Sequence, residues 1–286
     1  MVITPENAPK LSPIFSGKRG KLLLKLGLKI TGIDHVNEIH QWVEDQQVPA
    51  GPEFAAALLR GLGVDFRIGH PERLSQLPDG PFIVIANHVY GHLDGICLVD
   101  LLGHQRPRTK VMVNEFLMWI HGLAPSFISV NPVTNASTGT TATSINGVKS
   151  ALLQLHSGEP LAIFPSGAVA DLKPFSGWIL SERDWQDAAI KLIRKAHVPI
   201  VPVRFFDRNS RFYYALGLLD YRIRFARLFH ELFNKKGSHP RLGIGETISV
   251  EQQDAVSDTD FKAFLRASVY EMPLPETFTL RSELWK

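Results

Sequence analysis

The sequence predicts an α/β fold: a mostly parallel central sheet flanked by helices, with a helical segment at the N-terminus. Three observations carry this expectation. Short runs of β-branched and aromatic residues recur along the chain. Helix-like stretches separate most of them. The residues with the strongest chemical character follow directly after one such run. Strands alternating with helices imply βαβ units and a parallel sheet covered on both faces. The chain has 286 residues, enough for one large domain with a full core. Its 44% hydrophobic and 21% charged residues exclude a disordered or fibrous chain.

Residues 1–63 read as a basic, amphipathic helical segment and 64–286 as the α/β domain. The first thirty residues hold six Lys/Arg against one acid, Glu6. Lys21, Lys25 and Lys29 stand four apart and share a helix face, while Leu22, Leu23, Leu26 and Ile30 cover much of the other. Such a helix either lies in a bilayer interface or packs on its own domain with its lysines in water. The expected strands are Phe82–Ala86, Lys110–Val113, Phe127–Val130, Leu161–Phe164, Ile200–Arg204 and Arg241–Ile244. Helices are expected at Leu93–Leu102, Ser144–His156, Trp185–Ala196, Leu218–Asn234 and Asp258–Tyr270. The stretch Asn131–Ser144, small and polar, reads as a loop entering a helix.

A second basic concentration, nine Lys/Arg against four acids, runs from Val203 to Glu246. Such blocks suggest an anionic partner. Tyr221–Phe233 mixes arginines with aromatics, in keeping with either a membrane contact or a core-packed face with arginines outside. Neither basic segment matches a nucleic-acid recognition motif, so no nucleic acid is expected. No apolar run approaches the ~20 residues of a membrane-spanning helix. The N-terminal MVITPENAPK lacks the pattern of a secretory signal. Cys97 is the only cysteine, which precludes an intrachain disulfide and fits a reducing compartment. Its apolar neighbours mark it as a buried, inert thiol. A cytoplasmic location follows as the expectation, in solution or at the inner face of the membrane.

Ligands of parallel sheets sit beyond the carboxyl ends of the strands. There the strand PFIVIA runs into Asn87-His88-Val-Tyr-Gly-His92-Leu-Asp94-Gly95. A neutral imidazole can take a proton from an acceptor hydroxyl or amine when a carboxylate holds its other nitrogen. His88 with Asp94 does this if the turn at Gly91 folds back, and His92 with Asp94 is a second pairing. A metal site on His88, His92 and Asp94 is disfavoured, because Gly91 and the preceding strand oppose a helix through both histidines. Phe164-Pro165-Ser166-Gly167 lacks the Gly-x-Ser-x-Gly of a nucleophile elbow, and no phosphate-binding glycine loop occurs.

Asn87-His88 followed by Asp94 resembles the histidine–aspartate signature of the glycerolipid (lysophospholipid) acyltransferase superfamily. Five residues separate His from Asp here rather than the commoner four, which is similar to the branch of hemolysin-like proteins and ornithine-lipid O-acyltransferases. Three further blocks agree in order: Ala162–Ala168 resembles the Phe-Pro-x-Gly block, Val198–Val203 the last block, and Phe206–Tyr213 an extension of that branch. The resemblance covers about Val64 to Val250. It implies acyl transfer from an acyl carrier protein or coenzyme A thioester to a lysolipid hydroxyl at a membrane surface. Neither a metal nor a resident cofactor is implied. His88 would be the general base and Asp94 its partner. Asn87, Phe164, Pro165, Ser166 and Gly167 would lie at the substrate, with backbone N–H groups near Ser166-Gly167 as oxyanion donors.

Two departures bear on the acceptor. Where the family commonly has Phe-Ile-x-Arg, this chain has Phe127-Ile128-Ser129-Val130. Ser166 and Val169 replace the Glu and Arg of the third block. An aminolipid acceptor such as a lyso-ornithine lipid gains over a phosphate-bearing one, with Arg204, Arg208 and Arg211 as replacement cations. Amide-forming transfer to an amino-acid acceptor, and a non-catalytic membrane-binding role, are the other two expectations.

Overall fold

The computed structural model describes residues 22, 25, 27, 29, 31–130, 142–173, 179–219 and 221–285. Most of the N-terminal amphipathic pattern and the polar loop through residue 141 lie outside these. Helices α1 (Ile33–Asp45) and α2 (Pro52–Leu62) come first, followed by β1 (Arg67–Gly69), β2 (Ile83–Ala86) and α3 (His92–Gly103). Then come β3 (Lys110–Asn114), β4 (Phe127–Val130), α4 (Ala142–His156) and β5 (Leu161–Ile163). A short pair, β6 (Asp171–Lys173) and β7 (Ile179–Ser181), precedes α5 (Asp187–Ala196) and β8 (Ile200–Phe205). The chain continues through α6 (Arg211–Leu219), α7 (Tyr221–Phe233) and β9 (Arg241–Ile244), then α8 (Val250–Asp254), α9 (Asp258–Tyr270), β10 (Thr279–Leu280) and α10 (Arg281–Leu284).

Eight strands form one sheet in the order β10-β1-β9-β8-β2-β5-β3-β4, and β6 and β7 pair separately. The sheet is mostly parallel: β9 runs antiparallel to β8, and β10 antiparallel to β1. At its centre β2 lies between β5 and β8, parallel to both, with Ile83 opposite Leu161 and Ile200. The carboxyl ends of these three strands therefore share one edge of the sheet.

Alternation across the pleat explains why β2 is apolar throughout. Phe82, Val84 and Ala86 enter the core under α2 and α3. Ile83 and Ile85 enter the opposite core with α5 and α9 residues such as Ile193 and Leu265. Every residue of α3 is buried, as expected of a helix apolar all round. Its one acid beyond the first turn, Asp100, receives a two-point contact from Arg281 at 2.8 and 2.9 Å. Arg281 thus ties the C-terminal strand and helix to α3. The described N-terminal helices share this core through Val43, Phe54 and Leu59.

The expected helix Leu218–Asn234 is two helices, α6 and α7, the first beginning at Arg211. Cys97 is buried, and burial pushes its thiol well above the ordinary range. No helix among the described residues is long and apolar enough to cross a membrane.

Candidate active site

The chain leaves β2 at Ala86 and reaches α3 in five residues. Gly91 precedes the first helical residue at φ 87° and ψ −112°, a conformation that only glycine adopts readily. A Cβ there would also lie 2.8 Å from the Leu228 side chain. Asp94 sits in the first turn of α3, where the helix dipole favours a carboxylate. Its Oδ2 accepts the N–H groups of Tyr90 at 2.9 Å and Gly91 at 3.0 Å. These two bonds fold the loop back and bring the His88 ring to the same oxygen, with Nδ1 at 2.8 Å.

Asp94 is fully buried, and the His88 side chain is 19% exposed. With Nδ1–H donating to Asp94, His88 holds its lone pair at Nε2, which has no partner among the described residues. That nitrogen is placed to receive a proton.

The His88 peptide is gripped on both sides by the β6–β7 unit. Its N–H donates to the Glu182 carboxylate just beyond β7, and its carbonyl accepts the Ala170 N–H at 2.9 Å just before β6. Glu182 is buried, and burial pushes its carboxyl above the usual range. Arg224 of α7 completes the clamp, pairing with Asp171 and donating to the Ala170 carbonyl at 3.2 Å. Asn209 donates to the Val89 and Tyr90 carbonyls at 3.2 and 3.3 Å, fastening the loop from the other side. Sequence reading missed Glu182, Asn209 and Arg224 as supports. Their only signal is polarity at buried positions, and burial is visible only in the fold.

The expected site residues divide into two sets. Phe164 follows β5 and stacks on the His88 ring, with centroids 4.4 Å apart and planes at 28°. Pro165 is buried, and its carbonyl accepts the Gln186 N–H at 2.9 Å. Ser166 is buried, with Oγ donating to the Ala168 carbonyl at 3.0 Å. Gly167 (φ 63°) closes the turn by donating to the Phe164 carbonyl at 3.0 Å. The Gly167 N–H expected at an oxyanion is therefore engaged, whereas the Ser166 N–H has no acceptor among the described residues.

Asn87 and Arg204, expected at the substrate, both have their side chains engaged by backbone groups. The Asn87 amide exchanges two bonds with the Phe205 backbone, at 2.9 and 2.7 Å, and joins the ends of β2 and β8. Both ends of the amide are committed, so Asn87 acts as a clamp. Arg204 projects from the face of β8 opposite Val203 and Phe205, and its Nη1 donates to the Met272 carbonyl at 2.6 Å and to that of Tyr270. It anchors the end of α9. Arg208 is exposed, and only its backbone carbonyl is engaged, by Lys235 at 3.1 Å.

His92 does not pair with Asp94. Its ring is buried against Phe229, 4.6 Å between centroids, and burial with the neighbouring His88 lowers its pKa to about 3. His92 and His40 line one apolar cavity with Val36, Ile39 and Leu232, where a neutral imidazole is the favoured form. No three His, Cys, Asp or Glu side chains among the described residues are grouped to hold a metal ion.

A histidine oriented by a buried carboxylate, with its free nitrogen at the carboxyl edge of a parallel sheet, is the arrangement that a general base requires. The chain matches the acyltransferase family over residues 18–273 and belongs to it. Among curated proteins it is similar to the lyso-glycine lipid O-acyltransferase of Phocaeicola vulgatus, 25% identical over 267 residues, covering 90% of this chain and 91% of that one. The protein of the same description from Bacteroides thetaiotaomicron is 25% identical over 249 residues, covering 84% and 87%.

Proposed function

We propose that this acyltransferase moves a fatty acyl group from a coenzyme A or acyl carrier protein thioester to the hydroxyl of a lyso-aminolipid. The geometry that carries the reading is the His88 Nδ1–Asp94 Oδ2 bond of 2.8 Å, which leaves Nε2 free. In this mechanism Nε2 removes the acceptor hydroxyl proton as the oxygen attacks the thioester carbonyl. The developing imidazolium is stabilised by Asp94. The tetrahedral intermediate collapses with loss of the thiolate, and His88 returns the proton to that sulfur. We assign the Ser166 N–H as an oxyanion donor, since its turn lies directly beside His88. Neither a covalent acyl-enzyme nor a metal is invoked.

Two features support an aminolipid over a phosphate-bearing acceptor. The curated relatives carry a lyso-glycine lipid in their names, and Arg204 is committed to backbone carbonyls.

The test is a transfer assay with radiolabelled acyl thioester on either carrier and a panel of lysolipids, lyso-aminolipids and free amines, beside His88→Ala. Label should enter a hydroxyl-bearing lyso-aminolipid in a wild-type-dependent manner. Transfer to amines alone, or an equal rate in His88→Ala, would overturn the reading.

A further inference from the structure

We propose that the α6–α7 hairpin is the surface by which the protein docks on an anionic lipid bilayer. The choice of a bilayer rests on the lysolipid reading above.

On α6, Phe212, Ala215 and Leu219 stand at i, i+3 and i+7, one stripe of the helix, and all three are exposed. Leu219 is 78% exposed and Phe212 57%. Ile223, 50% exposed, lies in the first turn of α7 just beyond. Leu219 ends one helix and Ile223 lies in the first turn of the next, so these two apolar side chains stand at the tip of the hairpin, with Phe212 and Ala215 along α6 behind them. Such a tip suits insertion among acyl chains.

Among the described residues the exposed charges beside it are cations, and Asp220 is the one acid that the sequence places between the two helices. Arg211 and Arg208 are exposed beside the stripe, and the Arg227 guanidinium lies over the Phe212 ring at 5.3 Å. The only described acid of the two helices, Glu231, is buried and engaged by Ser210. Cations whose stems run along apolar surface belong at a headgroup layer.

The described chain covers the other end of α7. The His35 ring meets Phe233 at 4.4 Å, ten residues or about 15 Å along the helix from Ile223. Between these ends Leu228 closes over Gly91. A docked hairpin would hold the His88 loop about 8 Å behind its tip, measured along α7. An interfacial helix buries its apolar face about 5–10 Å into the headgroup boundary. The dyad would thus meet a lysolipid hydroxyl without extracting the lipid.

The test places an environment-sensitive fluorophore on Leu219→Cys, Cys97 being buried, and adds vesicles of phosphatidylcholine with or without phosphatidylglycerol. Emission should shift to the blue with the anionic vesicles and much less with the neutral ones. The double variant Leu219→Glu/Ile223→Glu should bind anionic vesicles on the order of tenfold more weakly. It should keep its melting transition and its rate on a short-chain, water-soluble lysolipid.

A probe that stays in water, or that is already shielded before vesicles are added, would overturn the proposal. Vesicle binding that survives in the double variant would do the same, including the case where only acyl carrier protein binding is lost. Vesicle binding is read without turnover, so failure to find any acyl acceptor would sink the proposed function and leave the docking surface standing.

Discussion

The Glu182 carboxylate accepts the backbone N–H of His88 across 94 residues of sequence. Removing the acceptor leaves a partly buried N–H unpaired, at a cost of about 1–3 kcal/mol, and frees the peptide that carries His88. Glu182→Ala should lower kcat on the order of tenfold or more with KM nearly unchanged, because a misplaced base raises the barrier without touching the bound substrate. Glu182→Gln keeps a carbonyl acceptor and should restore the rate. Steady-state kinetics of the two variants check this, and an equal loss in both would show that the charge is needed.

A pH dependence accompanies that pair. Burial raises the Glu182 pKa above its ordinary 4.5, so its contribution to stability is full below the unfolded value and is lost as pH rises through the folded one. Glu182→Gln removes the titration. Its melting temperature should therefore gain on the wild type as pH climbs from 4.5 towards 8, as calorimetry would record.

Asp94→Asn separates charge from orientation. All three donors converge on the single atom Oδ2, and an amide oxygen in that place can still accept them. The loop should keep its shape while the imidazolium loses its counter-charge. The expected fall in kcat/KM is on the order of a hundredfold, within the ~100- to 10,000-fold range for loss of general-base catalysis that His88→Ala should show. A wild-type rate in Asp94→Asn would remove Asp94 from the mechanism.

Asn87→Ala tests whether that residue is a clamp or a substrate contact. Losing two buried bonds to Phe205 should cost roughly 2–4 kcal/mol of stability, measured by urea unfolding. KM for the acceptor should stay within about twofold of wild type, since both ends of the amide are taken by the Phe205 backbone. A raised KM at unchanged stability would reverse the assignment.

His92 and His40 predict acid sensitivity. Burial lowers their pKa values to about 3 and about 4 from an ordinary 6.5. As pH falls below 6.5 the unfolded chain takes up protons that the folded one refuses. Stability then declines as pH falls, until the folded value of each histidine is reached. Thermal melts from pH 7 to 4 should show this decline, and His92→Leu should make it shallower. A flat profile in the wild type would mean that these histidines are not held neutral.

Much of this architecture was legible in the chain. Phe127–Val130, Arg241–Ile244 and Asp258–Tyr270 appear with the boundaries their patterning predicts. His88 and Asp94 lie close enough in sequence for their pairing to be visible. The remainder depends on long-range contact. β1, β6, β7 and β10 are two or three residues long, too short for any periodicity to register. The apolar pattern runs straight across the junction of α6 and α7. Asn87 adjoins His88 in sequence, yet successive side chains at a strand end point in different directions, so one binds the sheet and the other meets Asp94. Glu182 and Asn209 carry no local sign of the loop they hold.

The central clamp also constrains the order in which the molecule can fold. Asn87 meets Phe205 across 118 residues and Glu182 meets His88 across 94, whereas the Asp94 bond to His88 spans 6. The short bond can form early, but closing loops of that greater length has an entropic cost that only the completed sheet repays. A refolding chain would then bring the histidine and its carboxylate together well before their setting becomes rigid. Catalytic competence would return with the slowest phase of native fluorescence, after most of the helical signal has recovered.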